Sequence, residues 1–189
     1  MIRKLFSAAV IVALGSVVFA ADLKSGPQSG EKVPGPFHPL NINGDSAGKK
    51  ACLYCEAGDD PTVAIFARSA NDPMLQKLIV ELDQATVKYA KIKTPDGDAE
   101  MHSFVVFCSD DKKLEAKLKD MAESSKLKKL VLAIDEETGP EKYNISKDAD
   151  VTILLYKERV VSANYTFAKG QLTEKDVQKV VADVSKLVK

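Results

Sequence analysis

The order of apolar patterns predicts an α/β protein: a mixed sheet with helices on both faces and an antiparallel hairpin near the C-terminus. Three observations carry this reading. Short β-branched runs at 62–68, 103–108 and 130–134 alternate with amphipathic helical stretches. Crossovers of that length join parallel strands. The runs at 151–156 and 160–165 are separated only by Lys157-Glu158-Arg159, a hairpin-length gap that makes them antiparallel. A last helical pattern closes the chain, giving β-α-β-α-β, then a hairpin and a helix.

The chain begins Met1-Ile2-Arg3-Lys4, then runs apolar from Leu5 to Ala20, with small residues flanking a site after Ala20. That is the pattern of a secretory signal peptide. The competing reading is a retained membrane anchor, but Ser7, Gly15 and Ser16 interrupt the run, which is shorter than the roughly 20 residues of a spanning helix. The expected organisation is a signal peptide over 1–20, a Pro/Gly-rich irregular arm over 21–50 and one domain over 51–189. The expected location is secreted or periplasmic, with no stable membrane span after cleavage. Lys and Arg number 27 and Asp and Glu 27, mixed along the chain, so there is no basic footprint for nucleic acid. Three cysteines in an exported chain allow one disulfide and one free thiol.

The arm carries Gly26, Pro27, Gly30, Pro34, Gly35, Pro36 and Pro39, breakers with no apolar period. Phe37 and Leu40 are expected to dock on the domain. The strand at 62–68 is followed by Ser69-Ala70-Asn71-Asp72-Pro73, a helix start with Asp72 as N-cap and Pro73 in the first turn. Leu75, Leu78, Ile79, Leu82, Ala85 and Tyr89 line one face of that helix. Pro95-Asp96-Gly97-Asp98 is a turn. Ser109 or Asp110 is expected to cap the next helix, with Leu114, Leu118 and Met121 on its face, and Thr173 the last, with Val177, Val180, Val181, Val184 and Val188 inward.

This order resembles the thioredoxin fold, through Ala133-Ile134-Asp135, Glu141-Lys142-Tyr143-Asn144-Ile145, the hairpin and the closing helix. From Thr62 onward it is more similar to the peroxiredoxin-like branch, which has the same extra helix–strand pair. The resemblance implies an active cysteine pair after a core strand, at the start of the next helix. Here Ser69-Ala70-Asn71-Asp72-Pro73 and Ser109-Asp110-Asp111-Lys112 hold no such pair. It also implies a cis-proline before the first hairpin strand, where Val151 stands, and for a peroxidase a Thr-x-x-Cys and an arginine, where Asn71-Asp72-Pro73 and Asp150 stand. Neither catalytic set carries over, so peroxidase chemistry is not expected.

What remains is Cys52-Leu53-Tyr54-Cys55, before the first core strand. The six residues from Glu56 to Pro61 reach about 20 Å at most and contain turn formers, and the strand is about 23 Å long. The pair is therefore expected toward the edge where the strands begin, opposite the fold's usual site. Cys108 ends its strand at the other edge, too far to bond either cysteine, and reads as a small buried hydrophobe. Three readings of the pair stay open. One is a structural disulfide pinning the arm in a non-catalytic binding module. Another is a redox dithiol meeting a protein thiol or disulfide partner, a thiol–disulfide oxidoreductase in the cell envelope. The third is a zinc or copper(I) site from His38, Cys52, Cys55 and His102. No organic cofactor is expected. Asn144-Ile145-Ser146 and Asn164-Tyr165-Thr166 match the glycosylation pattern.

Overall fold

Strand β2 (Thr62–Ala67) is the axis of the sheet, and each of its residues is buried, as its unbroken apolar run requires. The computed structural model describes residues 23–94 and 97–189; the expected signal peptide lies outside them. In chain order the elements are β1 (Leu40–Asn41), α1 (Leu53–Ala57), β2, α2 (Pro73–Lys88), β3 (Ile92–Thr94), β4 (Gly97–Ala99), β5 (His102–Cys108), α3 (Leu114–Ser124), β6 (Val131–Asp135), a 3-10 turn (Glu141–Tyr143), β7 (Val151–Lys157), β8 (Val160–Phe167) and α4 (Glu174–Leu187). The main sheet has the order β1-β6-β5-β2-β7-β8, and β3-β4 form a separate hairpin.

The mixed character is as expected. β2 runs parallel to β5 and β5 to β6, each across a helical crossover, while β7 runs antiparallel to both β2 and β8. Alternation along β2 sends Val63, Ile65 and Ala67 to one face and Ala64 and Phe66 to the other. The three long helices share the first face: Leu75, Leu78, Leu118, Val177, Val180 and Val184 pack there. Two successive right-handed crossovers in one direction along the sheet put α2 and α3 on this face, and α4, which follows the last strand, packs beside α2. Among the described residues, the opposite face is covered by α1, the 3-10 turn and the arm, through Phe37, Leu53, Tyr54 and Tyr143.

Capping explains most helix boundaries. Asp72 accepts from Met74 N–H at 2.8 Å, and Thr173 forms a reciprocal capping box with Asp176. The expected cap on α3 is corrected: the helix starts later, at Leu114, without a side-chain cap. Ser109 instead accepts from Asp111 N–H in a turn ahead of it.

Over residues 23–50 the arm is largely irregular but docks on the sheet at several points, and it works as a strap. Gly30 N–H and Val33 N–H donate to Val161 O and Arg159 O, both at 2.8 Å, covering part of the β8 edge. Phe37 then crosses the face against Phe66, Phe104 and Tyr143. Leu40 and Asn41 pair with Ile134 and Ala133 as β1, closing the β6 edge. Open edges invite pairing with other chains, and one segment here shields both. Asn164 belongs to this seam: its amide donates to Ser25 O and Pro27 O, so it is occupied, whereas Asn144 is exposed.

Candidate functional site

Helix α1 holds the cysteine pair. Cys52 is its N-cap, with extended backbone (φ −90°, ψ 93°), and its Sγ accepts from Cys55 N–H at 3.1 Å. Cysteine is not among the residues that announce an N-cap, so the sequence pattern shows no helix start here. The helix is short because Gly58 ends it at φ 57°, in the left-handed region glycine tolerates. Leu53, Tyr54 and Ala57 face the core, while Cys52 is half-buried and Cys55 exposed.

Cys52 and Cys55 form a disulfide, with their Cα atoms 5.2 Å apart. The bond spans a sequence separation of 3, so it closes one helical turn and ties the arm to nothing. The arm is held instead by its own hydrogen bonds and by Phe37.

The pair does not reach the start of α2, because Leu53 and Tyr54 pack on one sheet face and Leu75 and Leu78 on the other. It lies toward the end where β5 and β6 begin. Leu53 and Glu56 border a groove of ≈ 530 Å³ whose other walls include His102, Ser103, Lys128 and Lys129. A buried carboxylate shapes that wall: Asp83 accepts from the N–H groups of Lys128, Lys129 and Leu130 at 2.9, 2.8 and 2.9 Å.

The four residues considered for a metal do not converge. The cysteines are bonded to each other, and His102 Nε2 lies 3.6 Å from Asp60 Oδ2 and 3.7 Å from Glu100 Oε1. His38 is exposed on a separate cavity of ≈ 730 Å³ with Asp135 and Tyr143. Among the described residues, no three His, Cys, Asp or Glu side chains gather to hold a metal.

Cys108 is the free cysteine and is buried at the far edge. Burial pushes its thiol up to about 12, only partly opposed by the Arg68 guanidinium. Arg68 itself donates to Glu137 O, Ser146 O and Ala149 O at 2.6, 3.0 and 3.1 Å. It ties together the two loops that flank the 3-10 turn, across more than 65 residues, and is invisible to pattern reading.

No family model and no curated protein matches the chain. Solved structures do. A proposed protein disulfide isomerase from Bacteroides thetaiotaomicron superposes with TM-score 0.63 at 14% identity, covering 88% of this chain and 94% of that one. A proposed thiol:disulfide interchange protein DsbE from Chlorobium tepidum gives 0.57 at 13%, covering 89% and 100%. The peroxidoxin BcpB from Mycobacterium tuberculosis gives 0.56 at 13%, covering 87% and 97%.

The fold is thioredoxin-like. Identities this low establish the architecture alone. Within that thioredoxin-like frame, Ser69-Ala70-Asn71-Asp72-Pro73 links β2 to α2 and Val151 opens β7, so no cysteine stands at the start of α2. The disulfide is carried instead by the short helix α1, on the sheet face opposite α2. The Tyr54, Asp59 and Arg159 contacts that hold α1 gave no sequence signal, since Asp59 and Arg159 lie 100 residues apart.

Proposed function

We propose that this protein exchanges thiols and disulfides with protein partners in an exported, oxidising compartment, through Cys52 and Cys55. The observation that carries this is a disulfide closing a single helical turn with Cys55 exposed. Such a bond removes little chain entropy and is open to attack, and accessible disulfides are the labile ones. A partner thiolate attacks Cys55 Sγ, the Cys52–Cys55 bond breaks, and Cys52 leaves as a thiolate that accepts the Cys55 N–H. A second partner thiol then resolves the mixed disulfide. Two electrons pass from the partner dithiol, which ends as a disulfide, and Cys52 and Cys55 end as thiols. The groove beside Leu53 and Glu56 offers the adjoining surface for the partner chain.

The test is the reduction potential of the pair, read by alkylation after equilibration in glutathione buffers. The expected value lies between about −300 and −120 mV. A value below about −300 mV sinks the proposal and leaves a structural disulfide in a binding module. Cys52→Ser and Cys55→Ser are each expected to abolish turnover of a disulfide substrate.

A further inference from the structure

The tip of the β7–β8 hairpin is built against preference. Lys157 pairs with Val160, leaving Glu158 and Arg159 as a two-residue loop, and their φ angles are 53° and 61°. A loop with two positive φ angles favours Asn-Gly, because the left-handed region is unfavourable for residues with a Cβ. Strain retained in such a loop points to a role for the side chains that hold it.

Both strained residues grip α1 and its exit. Glu158 N–H donates to Asp59 O at 2.8 Å. Arg159 Nε lies 2.9 Å from Asp59 Oδ1, and its guanidinium carbon sits 5.1 Å from the centroid of the Tyr54 ring. Tyr54 stands between the two cysteines and is only 8% exposed. We propose that Arg159 is a positioning residue for the dithiol. It clamps Tyr54 and Asp59 and keeps a permanent cation beside the helix that carries the sulfurs. The stack and the ion pair fix the cation beside α1, and the cation favours the Cys52 and Cys55 thiolates, shifting the couple toward the reduced form.

Asp59 offsets part of this charge from the exit side, and Glu56 is turned away to accept from Ser46 Oγ. The chemical role rests on the exchange reading above, but the clamp can be tested apart from it. The variant Glu158→Asn/Arg159→Gly gives the turn its preferred pair while removing the stack and the cation.

The variant's expected thermal midpoint is unchanged or raised. Its disulfide is expected to form about fivefold more readily in glutathione buffers, roughly 20 mV at 29.6 mV per tenfold. The pH midpoint for alkylation of Cys55 in the reduced protein is expected to rise. Arg159→Lys, which keeps the charge without the planar stack, should fall between the two. An unchanged couple and alkylation midpoint in the folded double variant would overturn the proposal and leave Arg159 as a packing residue. A wild-type potential below about −300 mV together with a fivefold shift in the variant would remove the exchange reading while supporting the clamp.

Discussion

Reducing the disulfide separates a redox pair from a pin. The bond closes a loop of sequence separation 3, for which chain-entropy loss predicts about 2 kcal/mol of stabilisation. A bond organising a loop of roughly 100 residues would contribute about 4.7 kcal/mol. What holds α1 in place survives reduction: Leu53, Tyr54 and Ala57 are 3%, 8% and 2% exposed, and Asp59 keeps Arg159. The arm keeps its pairing with Val161 and Ile134 and the packing of Phe37. The reduced protein, or Cys52→Ser/Cys55→Ser, should therefore lose no more than about 2 kcal/mol. For a chain of this size that is a fall of roughly 4–8 °C in thermal midpoint. Urea unfolding of the oxidised and reduced forms measures it, with the m-value expected to be unchanged. A loss above about 4 kcal/mol, with fast hydrogen exchange over residues 24–51, would refute this reasoning and restore the pin.

Other outcomes follow from buried groups. Asp83→Ala strands three backbone N–H groups and should cost about 3 kcal/mol in urea unfolding, with Asp83→Asn milder; a loss under about 1 kcal/mol would contradict the assigned role. Cys108, with its thiol pushed up to about 12, should resist iodoacetamide in the native protein near neutral pH and react once unfolded; rapid native labelling would mean that this edge opens. Burial raises the carboxyls of Asp135 and Asp150, despite the Glu136 N–H donated to Asp135 and the Arg68 charge near Asp150. The native state then binds these protons more tightly than the unfolded chain, so this contribution is present at low pH and is lost as pH rises through the carboxylate range. Asp135→Asn and Asp150→Asn should flatten that slope and raise the urea midpoint near neutral pH; a midpoint lowered there would argue against the buried-carboxylate account.

Strand and helix identity was legible wherever burial and local chemistry agree. The apolar run of β2, the Asp72-Pro73 start of α2 and the Thr173 cap of α4 each encode their element within a few residues. β1, α1 and the 3-10 turn were not legible, because their stability comes from distant partners. β1 is two residues long and exists through β6, and α1 is five residues anchored by Leu53 and Tyr54. Isolated segments that short do not hold themselves together.

The sequence by itself determined a mixed α/β sheet with a late hairpin, because periodicity and connection length are local properties. It also determined that Cys52 and Cys55 stand before the first core strand, away from the residues that start α2. Only the tertiary structure decided what the pair is attached to. The cysteines bond to each other across one turn, the arm secures itself at both sheet edges, and Arg159 closes over Tyr54 from the tip of the β7–β8 hairpin. The arm pairing and the Arg159 contact join residues separated by about a hundred positions, and chain folding, not spacing, brings them together.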